Sequence, residues 1–515
     1  MAHGAALVIA VLGALACSKP DSPPSVYVPA LAANLLVISL DTTRADHLGC
    51  YGHTGAATPV LDGLAAEGLR YEHALTPVPI TLPSHLSILS GTHPLFHGVH
   101  ENAGFYVPDE ITTLAEVFSE HGWTTAAFVG AFPVDSQSGL DQGFELYDDT
   151  YPSSVAQGKA PVLAGYYDER PAAEVSRVAL SWLDEHGDEP FFAWVHYFDP
   201  HQPHIPPSPY RERFASSLYD GEIASTDEAI GRILAQLRER EILDHTLVIV
   251  VGDHGESLGE HGEPTHALLL YSSTLRVPLI MRDPAEPGGR VISTPVETTD
   301  IMPTVLHRLE LPVPAQVQGR LLPLHDSAEF EPRPLVSETL FGALFYGWSS
   351  LERLTLGPWT VIDGAVPRLF RTDRDPEELS DLAAGEPEQL ASMLARLAEE
   401  RERLSSGGLQ HQDRVTSAET RARLEALGYL GSGPATIPTD APRGPDPESK
   451  MPVFALINEA QSAMRNHDYP LAAAVLLETL DEDPGNPTAR HYLATVRIGQ
   501  ERPEEAISLL RSILE

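Results

Sequence analysis

NLLVISL, residues 34–40, is followed at once by Asp41. A run so apolar, with no regular polar alternation, reads as a strand buried on both faces. Further runs of the same character are TTAAFV (124–129), PFFAWVHYF (190–198), TLVIVV (246–251) and RVPLIM (276–281). Amphipathic helical patterns lie between them, most clearly at 172–185 and 218–240. Strands alternating with helices predict an α/β fold, a central sheet flanked by helices on both faces. Chemistry in such sheets gathers at the carboxyl ends of the strands. Those ends carry Asp41, Asp199 and Asp253, one acid after each of three buried runs.

The stretch TPVPITLPSHLSILSGTHPLFHGVH, residues 76–100, presents Thr81 ahead of Pro83 and His85, with Leu86, Ile88 and Leu89 at helix-like spacing. A hydroxyl opening a helix stands where backbone N–H groups and the helix dipole favour negative charge, so an anionic group can be held against it. An ordinary N-cap before a core helix looks the same. Acids and histidines elsewhere tip the reading toward chemistry: LDTTRADHLGCYG (40–52), VHYFDPHQPHIPP (195–207) and VGDHGESLGEHGEPTH (251–266). Carboxylates and imidazoles at strand ends are the ligand set of one or two divalent ions, with zinc or manganese favoured over calcium by the histidines. A threonine hydroxyl is a poor nucleophile at its free pKa, and a bound cation can deprotonate it. These parts suit attack on a phosphorus or sulfur centre in an anionic ester. GESLG (255–259) has the letters of a serine-hydrolase elbow, but Asp253 and His254 intervene after the strand and a Gly- and Pro-bearing loop follows, so Ser257 is set aside.

In this order, the residues resemble the sulfatases of the alkaline phosphatase superfamily, over residues 34–404. The resemblance rests on Asp41 with LGCYG (48–52), Thr-x-Pro-x-His at 81–85, and Asp253-His254-Gly255 with Leu275-Arg276-Val277-Pro278. It extends through Thr299-Asp300-Ile301 with Pro303-Thr304, and Gln318-Gly319-Arg320. Sulfatases carry Cys or Ser, matured to formylglycine, in a Cys/Ser-x-Pro-x-Arg motif. Here Thr81 and His85 stand at those places, and Thr42 replaces the second acid of the family's metal pair. Threonine cannot become formylglycine. Thr-x-Pro-x-His resembles the nucleotide pyrophosphatase/phosphodiesterase branch, whose threonine attacks phosphorus. DHGESLGE (253–260) followed by His266 resembles the phosphoethanolamine transferase branch, and both branches bind zinc.

Carried over, the resemblance implies one metal on Asp41, Thr81, Asp253 and His254. His201 and His266, with Asp199 as a further candidate, would hold a second metal or contact substrate. Thr81, His85, His201 and His266 form the implied catalytic set. His97, His100, His196 and His261 read as surface or core histidines. The expected activity is cleavage of phosphate mono- or diesters, or phosphoryl transfer, through a phosphothreonine. Sulfate-ester hydrolysis is the alternative chemistry, and a catalytically silent scaffold acting through its C-terminal repeats is the alternative class. Specificity is expected in loops at 135–157 and 203–216.

The 515 residues are enough for a large core and a further domain, and their net charge of −39 disfavours nucleic acid and anionic membranes as partners. Residues 1–17, an apolar run ending Ala14-Leu15-Ala16-Cys17, read as a secretion signal and resemble a bacterial lipoprotein signal with Cys17 lipidated. Residues 18–33 would then tether the protein to the cell envelope, a lipid anchor being its membrane contact. LFRTDRDPEELSDLAA (369–384) and the acidic helix 386–404 read as a small terminal subdomain, and 405–450 as a linker rich in Pro and Gly.

The last segment repeats. Ala460 matches Ala494, Ala472 matches Ala506, Leu476 matches Leu510 and Leu480 matches Leu514, each at an offset of 34. That is the period of tetratricopeptide helix pairs, placed at 451–515. Fewer than two repeats make a poor free-standing stack, so they either pack on the catalytic domain or continue past Glu515. They offer a surface for a protein partner, and removing them is expected to leave the esterase nearly intact.

Overall fold

The computed structural model describes Met1 and residues 33–151, 170–326, 332–409 and 443–514. The expected lipidation site Cys17, nearly all of its tether, most of the linker and the end of the 135–157 loop lie outside these residues. The main sheet contains β1 (Asn34–Leu40), β2 (Leu69–Leu75), β3 (Thr124–Phe128), β4 (Leu146–Asp148) and β5 (Phe191–Tyr197). It continues with β6 (Thr246–Gly252), β7 (Arg276–Arg282), β8 (Arg290–Ile292) and β9 (Val296–Glu297). The order is β4-β3-β5-β1-β6-β7-β2-β8, with β9 beside β2. From β4 to β6 the strands are parallel, whereas β7 runs antiparallel to both β6 and β2.

Every residue of β1 is buried, because each face of the sheet is covered. Leu36, Ile38 and Leu40 pack with the helices Ala172–His186 and Leu218–Glu239. Leu35 and Val37 face the other way, toward Leu82, Leu86 and Leu89 of the helix Thr81–Ser90. That second helix is buried on all sides, which explains its lack of a polar face. β5, β1 and β6 are neighbours, so their carboxyl ends lie side by side.

A second sheet, antiparallel, comprises β10 (Leu335–Thr339), β11 (Leu351–Leu356), β12 (Trp359–Asp363) and β13 (Arg368–Arg371). The helix Pro387–Ser405 lays Met393, Leu397 and Leu404 across Val336, Leu354, Val361 and Leu369. The small subdomain therefore begins well before Leu369, where its sequence pattern first becomes legible. Its first strand docks beside the Thr81 segment: Ser337 Oγ donates to the Thr76 carbonyl at 2.8 Å, and Glu338 N to the Pro77 carbonyl at 2.9 Å.

The C-terminal helices are Met451–Arg465, Tyr469–Glu482, Pro487–Gly499 and Pro503–Leu514. Ile457, Ala460, Leu476 and Ala489 belong to the same continuous apolar core as the main sheet. Trp348 Nε1 donates to Asp483 Oδ2 at 2.8 Å, the Tyr346 and Phe454 rings meet at 5.9 Å, and Thr488 Oγ1 donates to the Phe345 carbonyl. Of the two arrangements open from sequence, the repeats pack on the catalytic domain. This shared core weighs against the expectation that removing them leaves the esterase nearly intact. Among the described residues, no helix is long and apolar enough to cross a membrane.

Candidate metal centre and nucleophile

Asp41 and Asp253 follow β1 and β6 directly, and the register Leu40↔Gly252 sets them next to each other on one face. Both are fully buried. In each carboxylate one oxygen is anchored. Asp253 Oδ1 accepts from Thr42 N at 3.1 Å and from His254 N at 2.7 Å. Asp41 Oδ2 faces His196 Nε2 at 3.3 Å. Gly130 N donates to His196 Nδ1, so the ring proton sits on Nε2 and is donated to Asp41.

The other oxygens have no hydrogen-bond partner. Asp253 Oδ2 lies 3.4 Å and Asp41 Oδ1 4.0 Å from His254 Nε2. His254 Nδ1 donates to the Gly255 carbonyl at 3.0 Å, which leaves a lone pair on Nε2. Burial holds this imidazole well below its ordinary pKa, so it is neutral. Three polar atoms thus converge with no hydrogen-bond partner among them. Burial, reinforced for Asp253 by the charge of Asp41, pushes both carboxyls well above their ordinary range when no cation is present. An unpaired buried ion costs ~several kcal/mol, more than the ~1.5–3 kcal/mol of a charged hydrogen bond returns. A divalent cation resolves the conflict, and the donor set fits one.

Thr81 is the first residue of its helix, but it is not the cap. Ile80 occupies that position with extended backbone, and Thr81 Oγ1 is buried without a partner. An N-cap threonine would have its oxygen engaged by the second or third amide. Asn102 Oδ1 takes over that task by accepting from Leu82 N at 2.8 Å, while Asn102 Nδ2 has no partner. The helix is held against the metal ligands by Ser84 Oγ, which donates to the Asp253 carbonyl at 2.7 Å.

His85 does not make its hydrogen bond to the threonine hydroxyl. Trp194 Nε1 donates to Ser39 Oγ, Ser39 donates to His85 Nε2, and His85 Nδ1 donates to the Thr81 carbonyl at 2.8 Å. The same nitrogen lies 3.5 Å from Asp253 Oδ2. His85 therefore braces the backbone of Thr81. At the edge of the centre, His266 lies 4.5 Å from the His254 ring and 5.2 Å from that of His201. His201 Nδ1 donates to the Gln202 carbonyl, leaving Nε2 bare and without a partner. His266 Nδ1 faces Glu256 Oε1 at 3.2 Å, and Glu256 Oε2 is also unpartnered.

Asp199 is placed elsewhere. The residue of β5 in register with Leu40 is Tyr197, so Phe198 corresponds to Asp41 and Asp199 is one step beyond. One step along a strand reverses the face. Asp199 Oδ2 accepts from Ala172 N at 2.9 Å, at the start of the helix on the opposite face. By the same parity His196, read from sequence as an ordinary histidine, is brought to Asp41. Only the strand register, which makes Phe198 the counterpart of Asp41, puts His196 two residues back on the same face. The sequence reading also passed over Glu256, inside the quoted 251–266 stretch, and Asn102, two residues beyond the 76–100 stretch; only burial distinguishes them. Ser257 Oγ donates to the Glu260 carbonyl at 3.1 Å, as befits a loop residue. A cavity of about 650 Å³ lies nearby, lined by Arg44, Glu260, Tyr271, Arg276, Arg353 and Glu378, without Thr81, Asp253 or His254.

The family model for sulfatases matches residues 33–311, more than half of the chain. The chain belongs to the sulfatase family. It is therefore a hydrolase of the sulfatase superfamily, acting on ester bonds, and a tetratricopeptide model matches residues 463–515. An ulvan-active sulfatase of Formosa agariphila is 27% identical over 330 residues, covering 56% of this chain and 63% of that protein. An arylsulfatase of Clostridium perfringens is 26% identical over 443 residues, covering 68% and 90%. Among solved structures, a phosphonate monoester hydrolase of Agrobacterium radiobacter has a TM-score of 0.61 at 21% identity, covering 74% of this chain and all of that one.

Proposed function

We propose that this sulfatase-family chain is an exported, lipid-anchored hydrolase that cleaves phosphate mono- or diesters with Thr81 as nucleophile. The observation that carries the reading is the Thr81 hydroxyl, buried and unengaged at the start of a helix pinned to the Asp253 strand end. Asp41, Asp253 and His254 would hold the cation, with Thr81 Oγ1 as a fourth ligand. A bound zinc or manganese ion supplies Lewis-acid activation of the hydroxyl and of the ester oxygens.

Thr81 Oγ forms a bond to phosphorus as the ester P–O bond breaks. The departing oxygen keeps the bonding electrons and acquires a proton equivalent to the one Thr81 releases. Water then attacks the phosphorylated threonine, freeing phosphate from a monoester or a phosphate monoester from a diester and restoring the hydroxyl. His85 and Ser39 keep Thr81 in register for the attack, while His201 and His266 face the edge where a second cation or the substrate's oxygens would lie. Asn102 Nδ2 is a donor available to a phosphoryl oxygen.

Sulfate-ester hydrolysis is the second reading, supported by the names of the sequence relatives. Phosphate mono- and diesters, phosphonate and sulfate esters of one chromophore, assayed with added zinc or manganese, separate the two. Rapid quench with a slow phosphodiester should leave the phosphoryl group, still carrying its second ester substituent, on Thr81. Phosphate on Ser84 or Ser257, or turnover of the sulfate ester alone, would overturn the reading. Replacing Cys17 with Ser should release the protein from the membrane fraction.

A further inference from the structure

The segment after Asp41 folds into two short 3-10 turns, Ala45–His47 and Gly49–Tyr51. Gly52, at φ 103°, then reverses the chain so that His53 returns over His47. The two imidazoles stack at 5.1 Å with 29° between their planes. Both rings turn a nitrogen toward Asp220, in the first turn of the helix Leu218–Glu239. His47 Nδ1 is 2.6 Å from Asp220 Oδ1, and His53 Nε2 is 3.7 Å from Asp220 Oδ2. One ligand atom from each of the three residues lies within 4.8 Å of the others.

A hydrogen bond between His47 and Asp220 would account for one ring. It does not account for the second, stacked on the first and aimed at the remaining oxygen. The spacings, which run to the two oxygens of one carboxylate, lie either side of the ~3.3 Å edge of a tetrahedron with metal–ligand bonds of about 2.0–2.2 Å. Two imidazoles with one carboxylate select a transition cation over calcium or magnesium. The side chains are 16%, 31% and 12% exposed, so solvent reaches the group and water can complete the shell. The edge of Tyr219 abuts the His47 ring at 5.0 Å and fixes its orientation. The Tyr219 hydroxyl also donates to the Thr42 carbonyl at 2.6 Å and accepts from Arg44 N at 2.9 Å.

We propose that His47, His53 and Asp220 form a second binding site for a divalent transition cation of the zinc or cobalt class, separate from the buried centre. A cation here ties the loop after Asp41 to the helix that presents Tyr219, and so steadies the backbone of Thr42 to Arg44.

The test counts metal in the full-length protein. Wild type, His53→Ala and Asp220→Asn are saturated with Zn²⁺, freed of excess by gel filtration and analysed for zinc per chain. Wild type should hold one equivalent more than either variant, and its thermal midpoint should rise further on zinc addition. Loaded with Co²⁺, it should show a visible absorption component that both variants lack. Asp253→Asn, which disables the buried centre, should keep this equivalent, so the outcome is independent of the reading of Thr81. His53 lies in a partly exposed loop, so His53→Ala should fold and serve if Asp220→Asn does not. Equal zinc in wild type and His53→Ala would overturn the proposal and leave a hydrogen-bonded pair.

Discussion

Two groups of metal-type side chains each draw on the segment that follows β1, and they differ in what water can do for them. Asp41, Asp253 and His254 are fully buried, and their free oxygens and nitrogen point at one another. His47, His53 and Asp220 are partly exposed, and solvent can hydrate each one. In the first group burial penalises the free carboxylates, so a metal bound there would couple to stability. In the second, water would compete with the proposed metal, whose binding would be a matter of affinity alone. On the readings proposed above, depth would make the first group a site coupled to stability and the second an optional one.

The largest effect should come from the buried group. Thr81→Ala should cost on the order of 10⁴-fold or more in turnover, by removing the nucleophile. Metal analysis of the same variant should find the buried cation still present, since three of its four proposed ligands remain. Wild-type turnover by Thr81→Ala would end the mechanism. Asp253→Asn, by contrast, should lose metal and turnover together.

Next in size is the loss of the repeats. Deletion from residue 451 strips cover from Tyr346, Trp348 and neighbouring apolar side chains, each worth ~1.5–3 kcal/mol when fully buried. Met451 also packs at Gly262, within the loop that carries Glu256 and His266. The truncated chain should melt at lower temperature, or fail to remain soluble, and lose activity. A truncated protein with the melting curve and turnover of wild type would show the repeats to be separable after all.

A smaller effect is expected at His196, which donates to Asp41 from outside the ligand set. His196→Ala should weaken metal affinity or activity about 10–100-fold, as second-layer partners do. Titration with a chelator would measure it. The smallest effect belongs to the shallow group. His53→Ala should change turnover less than about twofold, and a larger loss would mean that the shallow group supports catalysis directly.

Much was decided locally. Runs such as NLLVISL and TLVIVV are strands because nothing in them tolerates water, and the acids at their ends follow from chain order. Thr81 opens a helix because Pro83 and the spacing of Leu86 and Leu89 leave little else to form. The 34-residue offset is a property of the chain and needs no tertiary context. Four strands between 335 and 371 were not legible, because short antiparallel strands with mixed patterning resemble loops until they pair. The choice between Asp199 and His196 was not legible either. It depends on register between strands more than 150 residues apart, where a shift of one residue exchanges the metal face for the helix face. The chain order supplied the candidate ligands; the sheet decided which of them face each other, and burial made that meeting costly unless a proton or a cation lies between them.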